Sequence, residues 1–274
     1  MKYTYLSLAL LLMLSQSSNA DTALNAASNY NFPGGVVELR IDKQSKSLPD
    51  VKFGVQEPVI IDHPESWRVF IGLNLDTIPG EYLLYLKRSI DGASSEHINF
   101  FVEQKSYPVL EYKKGIEKQV NQIHSSFSEL EFSNTQQPNL PLSLPASGQW
   151  NSEFGSIYHN KKRKKLITQN QIFLPVSNNI VSVRSPENAL VSKIITDDKD
   201  ISTVFLDHGR GLFSIVGGLT EISVQTGNGV LSGAVIGKVT PEADFKSATV
   251  STRTLTWQCI LNGTYVNPTI LTKL

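Results

Sequence analysis

Val204–Leu219 reads VFLDHGRGLFSIVGGL. Apolar, β-branched and aromatic residues surround an Asp207-His208-Gly209 turn, and Gly217-Gly218 offers a second turn. The same punctuation recurs further along, at Thr226-Gly227-Asn228-Gly229, Ser232-Gly233 and Asn262-Gly263. No long helical period fits between these turns, so residues 146–274 read as an antiparallel all-β domain.

The first third is also strand-like. Val36–Ile41, Val51–Val55, Val59–Ile61, Trp67–Leu75, Tyr82–Lys87 and His97–Val102 are short β-branched or aromatic runs. Pro33-Gly34-Gly35, Pro58, His63-Pro64, Pro79-Gly80 and Asp91-Gly92 separate them. This spacing predicts a β-sandwich over residues 25–107, with Trp67–Leu75 and Ile98–Phe101 facing a shared interior. Residues 108–145 differ. Ile116, Val120, Ile123, Phe127 and Leu130 form an apolar stripe at helical spacing, which predicts a short linker helix. Asn134–Pro145 (NTQQPNLPLSLP) carries three prolines and predicts an extended tether.

Met1–Ala20 reads as a secretory signal peptide: Lys2, a short apolar run at Leu6–Leu14, then Ser18-Asn19-Ala20. The expectation is an exported protein, periplasmic or associated with the cell envelope. No second apolar run reaches the roughly 18 residues of a transmembrane helix. Lys+Arg and Asp+Glu balance at 25 each, which disfavours nucleic-acid capture. The single cysteine, Cys259, leaves no intramolecular disulfide and no Cys-ligated zinc site.

Several stretches from Ser152 to Pro268 resemble the LytM-like, lysostaphin-type zinc metallopeptidase family. Ser152-Glu153-Phe154-Gly155 is similar to that domain's opening "SxFG". Val204–Leu219 is similar to "VxxDHGNGLYTLYAHL", and Gly227–Val239 (GNGVLSGAVIGKV) to "GQxVKKGQxIGxVG". Leu255–Pro268, with Asn262-Gly263 and Val266-Asn267-Pro268, is similar to "HLHFEVRxNGxxVNP". In the first third, Pro33-Gly34-Gly35-Val36, Pro79-Gly80 and Tyr107-Pro108 resemble the immunoglobulin-like domain that precedes many such peptidases. The resemblance implies an all-β chain: an immunoglobulin-like sandwich, a linker helix and a LytM-like antiparallel β-sheet domain.

It also implies where a zinc site would stand. The family takes its ligands from an "HxxxD" strand and the second His of "HxH". The first His of "HxH" and the His of "YAHL" handle protons and the oxyanion. Pro175 matches the proline closing "HSGLDIAAP", so Ile167 and Gln171 stand at the first two ligand positions. Thr254 and Thr256 stand at "HxH", and Gly218 at the "YAHL" histidine. All five positions are substituted, and none of these side chains is a good zinc ligand. The expectation is a pseudopeptidase that holds no zinc and is not an enzyme.

Other residues do not rebuild a site in the sequence. His208 reads as a turn histidine outside the metal shell. His159, His63, His97 and His124 lie scattered over other elements. Cys259 reads as a small residue packed in the terminal strand. Asp197, Asp198 and Asp200 read as a solvated hairpin tip with Lys199. The one strong charge feature is Lys161–Lys165 (KKRKK): Lys161, Lys162, Arg163, Lys164 and Lys165 read as a solvated loop tip or as an anion-binding rim of the groove.

Degenerate members of the family stimulate separate cell-wall amidases. The resemblance therefore implies a non-catalytic envelope protein that binds peptidoglycan or regulates a cell-wall hydrolase. Two alternatives stand beside it: an active zinc endopeptidase of peptidoglycan with a relocated site, and a purely structural or adhesive envelope protein.

Overall fold

The computed structural model describes residues 30–43, 46–54, 56–87, 95–111, 137–151, 154–160, 163–166, 170–173, 180–240 and 254–274. The molecule is nearly all β. The N-terminal strands are β1 (Val36–Asp42), β2 (Asp50–Lys52), β3 (Val59–Asp62), β4 (Ser66–Gly72), β5 (Gly80–Lys87) and β6 (Ser95–Val102). They make two three-stranded antiparallel sheets, ordered β1-β4-β3 and β2-β5-β6. Val37, Leu39, Ile60, Trp67, Val69 and Ile71 of the first sheet meet Leu84, Leu86, Ile98, Phe100 and Val102 of the second in one buried cluster. Alternation along each strand sends every second side chain into that interior.

The first sheet is covered on its other face too. Val36, Val59, Ile61 and Phe70 join Leu212, Leu261, Val266 and Leu271 from the far end of the chain in a single core. Gly72 permits the close approach: a Cβ there would lie 3.0 Å from Val266 Cγ1 and 3.2 Å from the Leu261 carbonyl oxygen. Polar bonds stitch the same junction. The Asn267 N–H donates to the Gly34 carbonyl at 2.9 Å. Gln56 Nε2 donates to Thr264 Oγ1 at 2.9 Å, and Asn262 Nδ2 to the Glu57 carbonyl. Glu38, 3 % exposed on the covered face, accepts from Arg68 Nε at 2.7 Å.

The C-terminal strands are β7 (Val109–Glu111), β8 (Gln149–Asn151), β9 (Ile157–Asn160), β10 (Arg163–Leu166), β11 (Asn170–Phe173), β12 (Val181–Arg184), β13 (Ala189–Thr196), β14 (Ser202–Gly209), β15 (Leu212–Leu219), β16 (Glu221–Ile222), β17 (Gly229–Val230), β18 (Val235–Val239), β19 (Thr254–Leu261) and β20 (Thr264–Val266). An eight-stranded sheet runs β17-β13-β14-β15-β19-β11-β8, with β20 on β19. A smaller sheet, β12-β18-β16, supplies Val183, Ile236 and Val239 to the core beneath Val204, Leu206, Val216, Leu255 and Trp257. Phe205, Phe213, Ile215 and Ile260 gather on the opposite face of the large sheet. A short helix, α1 (Pro268–Leu271), closes the chain; Asn267 caps it by accepting from the Thr269 N–H at 3.1 Å, with proline at the first helical position.

Three local expectations change. Gly217-Gly218 is not a turn: both residues lie inside β15. The register passes from Thr203↔Gly217 to Ser202↔Leu219, so Gly218 is the extra residue of a β-bulge, with φ of 98°. The proline-rich segment is extended but strapped down. The Leu142 N–H donates to the Leu271 carbonyl at 2.8 Å, the Pro145 carbonyl accepts from the Arg184 N–H at 2.8 Å, and Leu142 and Ala146 are buried. Prolines set the extension, while Leu142 between them and Ala146 just after the last find the core. The basic run is partly strand: Arg163, Lys164 and Lys165 sit in β10, paired to Lys165↔Tyr158, Lys164↔His159 and Arg163↔Asn160 of β9. Lys161, Lys162 and the stripe from Ile116 to Leu130 lie outside the described residues. Among the described residues no helix is long and apolar enough to cross a membrane.

Candidate functional site

Strand register brings three of the five expected positions together. Gln171 of β11 lies directly across from Thr256 of β19. Thr256 lies across from Gly217 of β15, and Gly217 across from Thr203 of β14. One row therefore crosses four strands: Gln171, Thr256, Gly217, Thr203. Gly218, next to that row, bulges out of β15. Thr254 begins β19 two residues from Thr256, opposite Phe173. Ile167 lies outside the described residues.

The row is tight and uncharged. Thr256 and Thr203 are buried at 7 % and 9 % exposure. A Cβ on Gly217 would lie 2.7 Å from Thr256 Oγ1 and 2.8 Å from Thr203 Oγ1. The two hydroxyls crowd the glycine from either side, which is why no side chain is tolerated there. Thr203 and Gly217 were not among the expected site residues. The small residue before the histidine of "YAHL" was the available signal for Gly217; nothing in the sequence marks Thr203, because its place comes from the β14–β15 register.

The Ser214, Cys259 and His208 cluster belongs to the other side of the sheet. Cys259 packs in the core shared with Leu255 and Trp257, whereas Ile260 packs with Phe205 and Phe213. Thr256 alternates with the Ile260 side and Cys259 with the opposite one. On the Cys259 face, Ser214 Oγ lies 3.8 Å from Cys259 Sγ and 2.8 Å from His208 Nε2. His208 Nδ1 lies 2.9 Å from the Asn188 carbonyl. A carbonyl can only accept, so Nδ1 carries the proton and donates. Nε2 then accepts from the Ser214 hydroxyl, whose oxygen accepts from the Cys259 thiol.

This chain holds the imidazole neutral. Burial lowers the His208 pKa to about 4, against the Asn188 bond and the Glu187 charge, which raise it. Burial pushes the Cys259 thiol up, opposed by its bond to Ser214. His208 is thus a fully buried residue near the end of β14 rather than a turn histidine, and Cys259 is a packed sheet residue. His97 stacks edge-on against Tyr85 at 4.7 Å on the outer N-terminal sheet, far from this row in the topology. Asp197 caps the exposed β13–β14 turn, accepting from the Lys199 and Ile201 N–H groups at 2.9 Å. Among the described residues no group of three His, Cys, Asp or Glu is placed to hold a metal ion.

Residues 172–268 match the family model described as Peptidase family M23. None of the curated proteins matches the chain. Among solved structures, a protein from Pseudomonas aeruginosa described as peptidase M23 is 24% identical, with a TM-score of 0.64 over 89% of this chain and 95% of that one. The catalytic domain of the prophage-encoded M23 protein EnpA from Enterococcus faecalis is 18% identical over 46% of this chain and 95% of that one, at a TM-score of 0.34. The catalytic domain of lysostaphin from Staphylococcus simulans is 13% identical over 46% and 93%, at a TM-score of 0.35. The Pseudomonas likeness spans both the N-terminal sheets and the large sheet, so the two-part fold is shared along nearly the whole chain. The stretch that matches the M23 model, residues 172–268, carries the Thr203, Gly217, Gly218 and Thr256 positions, and the likeness to the Pseudomonas structure is one of fold.

Proposed function

We propose that this chain is an exported, non-catalytic cell-envelope protein that binds peptidoglycan or regulates a cell-wall hydrolase such as an amidase. The observation that carries the reading is the registered row Gln171–Thr256–Gly217, with Gly218 bulged beside it. Of these, Gln171 and Thr256 stand where the family resemblance expects zinc ligands, and Gly218 where it expects a proton-handling imidazole. Zinc does not fit the residues found there. A hydrolytic zinc site wants imidazole, thiolate or carboxylate donors. Threonine hydroxyls and a glutamine amide are neutral, and Gly218 offers no side chain. Nor is Gly218 a ready seat for histidine, since φ of 98° strains any side chain.

What remains is a small, uncharged floor at Gly217, flanked by the Thr203 and Thr256 hydroxyls. It suits an extended peptide held by hydrogen bonds without attack on the peptide. The Lys161–Lys165 run would add attraction for carboxylates at the rim, weakening as salt rises.

The experiment is sedimentation with purified peptidoglycan, beside an amidase stimulation assay, both in chelator. The wild type should sediment or stimulate, and Gly218→Trp should lose the effect while keeping its far-UV circular dichroism, at a melting temperature lowered by the strain of a side chain at φ of 98°. Cleavage of cross-linked peptide that the chelator abolishes would overturn the proposal.

A further inference from the structure

A cavity lies at the junction between the N-terminal sheets and the turn end of the large sheet. It is a cleft of about 670 Å³, within the range of small-ligand sites. Leu48, Pro49, Val51, Pro58 and Ile60 give it an apolar wall. Arg210 and Asn262, from the β14–β15 and β19–β20 turns, close the other side. It is distinct from the Thr256 row: Asn262 lies six residues further along the chain, about 20 Å at strand rise.

Arg210 is the unusual residue. Its φ is 49°, in the left-handed region that a long side chain avoids. The pattern "DHGNG" has asparagine at this point, the residue that suits such a backbone. Arg210 Nε is also buried and meets no acceptor among the described residues. A buried guanidinium N–H without an acceptor is costly, and backbone strain at a cleft wall is a signature of a site rather than of packing. Two carboxylates, Asp50 and Glu57, line the same cleft. Its chemistry is therefore one guanidinium, an aliphatic wall and two acids.

We propose that this junction cleft binds a short zwitterionic peptide, its carboxylate on Arg210, its aliphatic body along the Leu48–Ile60 wall, and its ammonium toward Asp50 and Glu57. The proposal is independent of the peptidoglycan reading, because it uses neither the Thr256 row nor the basic run.

The test is isothermal titration calorimetry of the full chain with tetra-alanine and with its C-terminal amide. Tetra-alanine should bind, and the amide at least tenfold more weakly, since a charge-assisted pair to arginine is lost. Arg210→Asn keeps a residue suited to positive φ while removing the guanidinium. It should bind tetra-alanine at least tenfold more weakly and melt no lower than the wild type. Chemical-shift changes in the wild type should centre on Gly211 and Gly263. No binding of tetra-alanine at millimolar concentration, equal binding of the amide, or an Arg210→Asn variant that binds like the wild type would each overturn the proposal. A Gly218→Trp variant that loses peptidoglycan but keeps tetra-alanine separates this cleft from the groove.

Discussion

Acidification should weaken this fold through one histidine. His208 is fully buried, donates through Nδ1 to the Asn188 carbonyl and accepts at Nε2 from Ser214. Its pKa falls from 6.5 in the open chain to about 4 in the fold, chiefly by burial. Between those values the unfolded chain binds a proton that the folded chain refuses. The sign follows: the contribution is complete above pH 6.5, is lost as pH falls toward 4, and changes no further below. The shift corresponds to about 3 kcal/mol over the window, a large part of a typical domain's stability. The assay is urea denaturation at pH 7.5, 6.5, 5.5 and 4.5 for the wild type and for His208→Gln. Glutamine is neutral at every pH, so the difference between the two proteins removes the carboxylates common to both. The wild type should lose about 2.5 kcal/mol more than the variant between these extremes, since pH 4.5 stops short of the folded pKa. Parallel stability curves, or an NMR titration placing His208 near pH 6.5 in the folded protein, would refute the reasoning.

Two further outcomes follow from packing. Phe70→Ala should cost about 3–5 kcal/mol, because Phe70 lies in the core shared by the N-terminal sheet and the large sheet. Calorimetry should show one transition in both proteins; two transitions with only one shifted would mean that the halves fold independently. Gly217→Val should destabilise by about 1–3 kcal/mol through contact with Thr256 Oγ1 and Thr203 Oγ1. A variant as stable as the wild type in urea would mean that the row is looser than its geometry states.

The N-terminal strands were legible because their apolar runs alternate between proline and glycine turns; Val36–Ile41 and Tyr82–Lys87 are read almost to their ends. The sharing of a core was harder to see. Its trace is in VIID and WRVFIG, where Val59, Ile60 and Ile61, and Val69, Phe70 and Ile71, are apolar on consecutive residues. Such runs mark a sheet buried on both faces. The motif letters located Gln171, Thr256 and Gly218 one at a time. Their adjacency depends on β11, β15 and β19 lining up in register, which spacing along the chain does not encode. Gly217-Gly218 read as a turn because glycine pairs usually are. Here one glycine admits the hydroxyls of Thr203 and Thr256, and the other takes the bulge. The pairing of Ser214 with His208 was likewise invisible, since it crosses the β14–β15 hairpin.

Under the proposal, the residues that match the M23 model present a neutral peptide-binding floor where a metal site would stand. Zinc stoichiometry tests it most directly. The purified chain is loaded with zinc under mild conditions, passed through a desalting column and measured by inductively coupled plasma mass spectrometry. An active lysostaphin-type peptidase serves as the positive control. The account predicts zinc far below one per chain, alongside the control near one. One tightly held zinc per chain, removed only by a strong chelator, would contradict it.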